Sequence, residues 1–169
     1  RRPLRRFWGW GVASEHLTPD ESARISMMVQ MLGGQIKDRP EPQVKDFTLP
    51  APRIAPPATL SAMFTDSPLD RLNHAMGKSY ADLARMWLRQ VPHVPDWVAY
   101  PDDEQAVIDI LDWASRHNVA VIPYGGGSSV CGGVEAAVGS SYAAAVSLDM
   151  ERLNRVLEVD PTSRAARIQ

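Results

Sequence analysis

The segment from Val119 to Gly133, VAVIPYGGGSSVCGG, has the residue types and spacing best suited to chemistry. An apolar run ends at Pro123, and five glycines follow within nine residues. Because glycine has no Cβ, its main chain can approach a ligand closely and adopt positive φ angles. Successive N–H groups can then point into one concavity that binds phosphate without a lysine. The hydroxyls of Ser128 and Ser129 add donors at the rim, so we predict a phosphate or dinucleotide site.

Other interpretations of the glycines fit less well. A mobile turn would carry a chain-entropy cost with no compensating interaction. The GKS sequence at Gly77 lacks the earlier glycine of a phosphate-binding P-loop, because Leu72 stands there. The nicotinamide-type spacing G-x-G-x-x-G and the hydrolase spacing G-x-S-x-G both require glycine where Val130 stands. We also expect Gly126 to need a positive φ, so that valine there would empty the site.

The elements before residue 95 are predicted to be helical. Thr18 and Glu21 form a capping box that opens a helix ending near Leu32. Six prolines between residues 40 and 57 indicate an extended connector. A second helical region is expected over roughly 69–88, where Ser79 and Asp82 can cap its later half.

From residue 95 the order changes to strand, helix, strand, glycine loop, strand and a hairpin. The helix is predicted to begin at Asp102 and to bury Val107, Ile110, Leu111 and Ala114. The segments VAVIP and YAAAVSLD read as strands, and RVLEVD with RAARI as a hairpin around DPTS. We therefore divide the chain into a helical region, 1–94, and an α+β region with a mixed sheet and flanking helices, 95–169.

Composition excludes several classes of function. A net charge of −2 gives no general attraction to nucleic acid, and no apolar run is long enough to cross a bilayer. The four histidines are scattered, so no metal site is predicted, and His74 and His117 are expected on helix surfaces. The single cysteine, Cys131, is expected to be a packing residue and suits a reducing compartment. The arginine- and aromatic-rich start, RRPLRRFWGWG, is interpreted as an arm whose tryptophans pack on the body, with single-stranded nucleic-acid binding as the alternative.

The stretch PDWVAYPDDEQAVIDILDWASRHNVAVIPYGGGSSVCGGVE resembles the FAD-binding domain of the vanillyl-alcohol oxidase/p-cresol methylhydroxylase (PCMH-type) superfamily. Its motif is P-x-G-G-G-[ST]-S-V-x-x-G. Tyr124 and GGGSS favour the alkyldihydroxyacetonephosphate synthase-like branch over the glycolate and D-lactate dehydrogenase branch. FWGWG and DRLNHAMGKSYADLARM, outside the loop, support the same branch.

The resemblance implies that the loop holds the FAD diphosphate. The residues carried over are Pro123, Tyr124, Gly125, Gly126, Gly127, Ser128 and Ser129, with Val130 and Gly133 shaping the end of the loop. Some relatives bind flavin covalently through a histidine in this loop; none is present here, so the loop implies non-covalent FAD. Relatives continue into a second FAD-contacting subdomain and a substrate cap, so we expect a fragment without assignable catalytic residues.

For the complete protein, the resemblance implies exchange of the acyl group of acyl-dihydroxyacetone phosphate for a long-chain alcohol, with flavin N5 as the nucleophile. This would be a step in ether-lipid synthesis with a lipid-like substrate. Alternatives are an FAD-dependent oxidase of a hydroxy acid or alcohol and a non-catalytic phosphate-binding module. A homodimer is left open, and so is the compartment: cytoplasmic in a bacterium, or peroxisomal in a eukaryote.

Overall fold

The computed structural model describes residues 4–36 and 39–169 of the 169-residue chain. Its main sheet has four strands in the order β1-β2-β4-β3, where β1 is antiparallel to β2 and the other pairs are parallel. The helices and strands are α1 (Pro19–Met31), β1 (Phe64–Thr65), α2 (Pro68–Asn73), α3 (Tyr80–Trp87), β2 (Trp97–Ala99), α4 (Glu104–Arg116), β3 (Val119–Tyr124), β4 (Ala144–Asp149), β5 (Val156–Asp160) and β6 (Ala165–Ile168). The predicted mixed sheet with flanking helices is confirmed.

Helix α4 covers one face of the sheet. Ile110, Trp113 and Ala114 are buried against Val119 of β3 and Val146 of β4. The helix begins after Asp103, whose carboxylate accepts a hydrogen bond from the N–H of Ala106 at 2.8 Å. The predicted cap at Asp102 is therefore wrong by one residue. Leu111 was also wrongly expected in the core, because it is exposed while Trp113 is buried.

The N-terminal helix forms where expected, but it buries nothing. The capping box of Thr18 and Glu21 is present at the start of α1. None of the α1 side chains is buried, and Ile25, Met28 and Leu32 are exposed. The capping box therefore predicted the start of the helix correctly.

The second helical region is two helices rather than one. A turn over residues 74–79 separates α2 from α3, and Ser79 and Asp82 form the capping box of α3 as predicted. Around this turn Leu72, Met76 and Met86 form a second core with Phe7 of the N-terminal arm. His74 lies in this turn and is buried, so its expected surface position is wrong.

The N-terminal arm packs partly as expected. The rings of Phe7 and Phe47 meet edge to face at 5.8 Å, and those of Trp8 and Trp87 do so at 5.7 Å. Trp10, in contrast, is exposed. No helix within the described ranges is both long and apolar enough to cross a membrane.

The proline-rich connector runs extended apart from a short 3-10 turn at Val44–Asp46. It is tied to the body by Arg71, which donates to the carbonyls of Pro50 and Pro95 at 2.9 and 2.7 Å. It is also tied by Arg53, which pairs with the buried carboxylate of Asp96 at 2.8 Å. The division at residue 95 stays a prediction, although β1 precedes that point and pairs with β2 after it.

Asp96 joins three parts of the fold. Its carboxylate accepts hydrogen bonds from the main-chain N–H and guanidinium of Arg53 and from the N–H of Ala145 in β4. Burial raises the pKa of Asp96, but these hydrogen bonds outweigh it, and the net pKa is below its ordinary value. Because the folded pKa is depressed, this stabilisation is present at neutral pH and is lost as the pH falls through the folded pKa.

We predict that Asp96→Asn lowers the free energy of unfolding at pH 7 by about 2–3 kcal/mol, because buried donors lose their anionic acceptor. Urea unfolding measures the change, with Asp112→Asn on the exposed face of α4 as the control. The difference between wild type and Asp96→Asn should shrink at acidic pH. If Asp96→Asn were as stable as wild type at pH 7, this role of the carboxylate would be contradicted.

Candidate functional site

The glycine loop leaves the carboxyl end of β3, where the parallel strands β2 and β4 also end. A cavity of about 900 Å³ opens at this edge. Ligands of open α/β sheets commonly bind beyond the carboxyl ends of the strands. The cavity is lined by Leu4, Arg5, Ala62, Met63, Phe64, Thr65, Asp70, Asn73, His74, Tyr100, Tyr124, Gly125, Asp149, Glu151, Arg152 and Asn154.

The structure distributes the predicted loop residues over several environments. Tyr124 and Gly125 line the large cavity. Gly126 and Ser128 line a smaller neighbouring cavity of about 480 Å³. The other predicted residues lie outside both linings: Pro123, Gly127, Ser129, Val130 and Gly133.

Among the first three loop glycines, only Gly127 has a positive φ, at +67°. A Cβ on Gly127 would overlap the hydroxyl of Tyr124. The expectation that Gly126 needs a positive φ is therefore wrong. A Cβ on Gly126 would meet its nearest neighbours at 3.7 Å, and one on Gly125 would meet nothing within 4 Å. Gly127 is required by packing and backbone conformation, whereas Gly125 leaves open space at the cavity.

The loop offers main-chain donors to a ligand. The main-chain N–H groups of residues 125–128 donate no hydrogen bond to any acceptor within residues 4–36 and 39–169. Main-chain N–H groups without partners are costly unless water or a ligand accepts from them. Donors of this kind, at open glycines beside a cavity, fit the diphosphate of a dinucleotide cofactor.

Ser129 stabilises the loop itself. Its Oγ accepts a hydrogen bond from the N–H of Gly133 at 3.1 Å. Its carbonyl accepts from the N–H of Lys78 at 2.7 Å. Val130 is exposed and touches neither cavity. These contacts close the second half of the loop and fix it to the α2–α3 turn.

Tyr124 joins the loop to the end of α2. Its hydroxyl donates to the carbonyl of Asn73 at 2.9 Å, and its ring centroid lies 4.0 Å from that of His74. Burial raises the pKa of Tyr124 to about 12, so the hydroxyl stays protonated at neutral pH and remains a donor.

His74 is the most buried polar group at the cavity that the sequence did not identify. Its Nδ1 lies 2.7 Å from the carbonyl oxygen of Asp70, and its Nε2 lies 2.8 Å from Oδ2 of Asp149. The carbonyl can only accept, so Nδ1 donates to it, and Nε2 faces the carboxylate of Asp149. This pair joins α2 to the end of β4 beneath the cavity.

Gly77 and Lys78, rejected as part of a P-loop, instead support the glycine loop. A Cβ on Gly77 would overlap the carbonyl oxygen of Ser129, so only glycine allows this approach. The buried amine of Lys78 donates to the carbonyls of Arg6 and Phe7 at 2.9 and 3.1 Å. A glycine inside an apparently helical stretch was the signal in the sequence for this contact.

The chain after the loop is held by a partly buried ion-pair cluster. Arg85 of α3 contacts Glu135 at 2.9 Å and Asp82 at 2.7 Å. The hydrogen bond from Arg85 is the main reason that the pKa of Glu135 lies below its ordinary value. Both ends of the glycine loop are therefore fastened to the α2–α3 region.

The comparisons agree with this geometry. Residues 95–169 match a family described as FAD binding domain. The matched part includes the loop and its supporting strands, and its fold is that of the PCMH-type FAD-binding domain.

The relatives include several alkyldihydroxyacetonephosphate synthases and a D-2-hydroxyglutarate dehydrogenase from Xanthomonas citri pv. viticola, which is 33% identical over 85 residues. The chain is 38% identical to the synthase from Trypanosoma brucei brucei over 96 residues, which are 57% of this chain and 16% of that protein. It is 38% identical to the one from Dictyostelium discoideum over 104 residues, which are 62% of this chain and 17% of that protein. A solved alkyldihydroxyacetonephosphate synthase superposes with a TM-score of 0.80 at 28% identity, covering 98% of this chain and 36% of that one. The chain thus spans well under half of these relatives.

We predict that Gly127→Ala weakens FAD binding by the full-length protein by at least about tenfold, because the added Cβ displaces the Tyr124 hydroxyl and strains a positive φ. Gly132→Ala is the matched control, since Gly132 has a φ of +79° but nothing within 4 Å of an added Cβ. Flavin content and fluorescence titration of the apoprotein measure the effect. Equal losses in both variants would mean that strain alone, and not the Tyr124 contact, is responsible.

Burial lowers the pKa of Lys78 from its ordinary value near 10.5 to about 8. Between these two pH values the unfolded chain binds more protons than the folded one, so the free energy of unfolding should rise with pH. In Lys78→Met the free energy of unfolding should not show this rise with pH. The comparison of the two proteins therefore separates the contribution of Lys78 from that of other titrating groups. Urea unfolding of both variants at several pH values across this range measures the difference. Parallel pH profiles would contradict the depressed pKa.

Proposed function

We propose that the loop over residues 123–133 binds the diphosphate of FAD through main-chain donors. The observation that carries the proposal is the run of N–H groups from Gly125 to Ser128, which have no acceptor in the described part of the chain and adjoin the cavity at the carboxyl ends of β3 and β4. The FAD-binding family match over 95–169 supports FAD as the dinucleotide.

The residues proposed to contact the diphosphate most directly are Gly125, Gly126 and Ser128, since they line the two cavities. Tyr124 and Gly127 would set the loop conformation through their mutual contact, and Ser129 and Gly133 through their hydrogen bond. Pro123, at the start of the loop, and Val130, in its second half, are exposed and line neither cavity. These roles sort the predicted set into ligand-contacting and loop-shaping residues.

We propose that FAD is held non-covalently by this segment. The loop from Val119 to Gly133 contains no histidine. The nearby His74 has both ring nitrogens engaged, with Asp70 and Asp149. Neither feature offers the loop an imidazole nitrogen for attachment to the flavin.

For the whole protein we propose the activity in the relatives' name, alkyldihydroxyacetonephosphate synthesis. Bound FAD would supply the flavin that reacts with the substrate, and the chain described here would bind and orient that cofactor. The sequence relatives support this assignment, and so does the structural neighbour, which covers 98% of this chain. The lipid-like substrate belongs to the same proposal, while a homodimer and the compartment stay predictions.

The test uses the full-length protein, purified and examined for flavin absorbance before and after acid precipitation. We expect a flavin spectrum and release of the flavin into the supernatant. With acyl-dihydroxyacetone phosphate and a labelled long-chain alcohol, the label should enter alkyl-dihydroxyacetone phosphate as one fatty acid is released, without net flavin reduction. A protein free of flavin would contradict FAD binding. Reduction of the flavin by a hydroxy acid, without exchange, would favour an oxidase instead.

A further inference from the structure

The N-terminal arm, residues 4–15, folds back on itself beside the glycine loop. The N–H of Ala13 donates to the carbonyl of Leu4 at 2.8 Å, and that of Arg6 donates to the carbonyl of Gly11 at 3.2 Å. The smaller cavity lies between the arm and the loop, lined by Arg5, Gly9, Trp10, Gly11, Val12, Lys78, Gly126 and Ser128. The arm is thus one wall of a space whose other wall is the proposed diphosphate loop.

Two sets of hydrogen bonds fix the arm in this position. Lys78 donates its amine protons to the carbonyls of Arg6 and Phe7, while its own N–H binds Ser129 of the loop. The indole N–H of Trp87 donates to the carbonyl of Trp8 at 3.1 Å. Because Lys78 contacts both arm and loop, the two segments are held in a defined relation.

Arg5 is the arm residue that meets the loop. One guanidinium nitrogen donates to the carbonyl of Gly126. The side chain also lines both the larger and the smaller cavity, so it lies where the two adjoin. Among the ion pairs of the described residues, none involves Arg5, and its charge is not neutralised by a carboxylate there.

The loop itself supplies no formal positive charge. Between Val119 and Gly133 there is neither lysine nor arginine, so the loop has only the partial charges of its N–H groups. The other basic side chains at the large cavity are engaged: Arg152 pairs with Asp102 at 2.8 Å, and His74 hydrogen-bonds with Asp149. Arg5 is therefore the cavity cation best placed to pair with an anionic ligand, and arginine suits bidentate phosphate binding.

We propose that Arg5 is a cofactor-binding residue: its guanidinium pairs with the FAD diphosphate while holding the carbonyl of Gly126, so the arm completes the diphosphate site. This inference rests on the proposed binding of FAD by the loop. It assigns the arginine- and aromatic-rich start of the chain to the cofactor rather than to nucleic acid.

The test measures FAD affinity of the full-length apoprotein for wild type, Arg5→Gln, Arg5→Lys and Arg24→Gln. Arg24 is an exposed arginine on α1 that lines neither cavity, which makes it the matched control. We expect the dissociation constant of Arg5→Gln to rise about 10- to 100-fold, the range of a charge-assisted hydrogen bond. Arg5→Lys should recover part of the loss, and Arg24→Gln should bind as wild type does.

Salt dependence and apoprotein stability separate direct pairing from a structural role. The ratio of the FAD dissociation constants of Arg5→Gln and wild type should decrease as the salt concentration rises from about 0.05 to about 0.5 M, because salt screens an exposed ion pair. Thermal unfolding of the two apoproteins should agree. A salt-independent loss with reduced apoprotein stability and no recovery by lysine would overturn the proposal, as would unchanged affinity in Arg5→Gln. If the wild-type protein does not bind FAD, the proposed function is contradicted. If wild type binds FAD and Arg5→Gln binds it equally well, only the role of Arg5 is contradicted.

Discussion

The docking of the α2–α3 turn onto the root of the glycine loop is the constraint on which the site depends. A glycine-rich segment has many accessible conformations, so it can present N–H groups together only if other residues restrict it. Here residues 73–78, at and before the α2–α3 turn, restrict the loop and the adjoining strand ends. Asn73 accepts from Tyr124, His74 binds Asp149, and Lys78 donates to Ser129.

This arrangement explains why the region before residue 95 and the sheet after it function together. The strands place the loop at the carboxyl edge of the sheet, but they do not determine its course beyond Tyr124. The turn, the arm and the cluster of Arg85 with Glu135 do so through contacts from residues far away in the sequence. A family match confined to 95–169 therefore covers the donors but not the α2–α3 turn and the arm, which supply half of the contacts that orient them.

Local signals in the sequence predicted the elements well. The capping boxes at Thr18 and Ser79 and the run VAVIP before the glycines each mark a feature that depends on neighbouring residues, and each is present. The errors concern burial and long-range contact. Leu111 and Trp113 are two residues apart and therefore lie on opposite sides of α4. Trp113 is on the buried side, where its ring lies 5.5 Å from that of Phe64.

The prediction of the site had the same strengths and errors: local features were found, and long-range contacts were missed. The loop could be recognised from its glycines, because a missing Cβ has a direct conformational meaning. His74 and Arg5 could not be found in the same way, because their partners are 75 and 121 residues away along the chain. The required glycine was Gly127 rather than Gly126, a distinction set by where the Tyr124 ring lies.

The β5–β6 hairpin contrasts with this well-supported loop. Val156, Leu157, Val159 and Ile168 are all exposed, and they lie on both sides of a two-stranded ribbon. Strand β4, in contrast, is buried along its whole length. Contiguous exposed apolar side chains commonly mark a surface that other polypeptide covers. The ribbon is therefore an apolar surface suited to contact with further parts of the full-length protein.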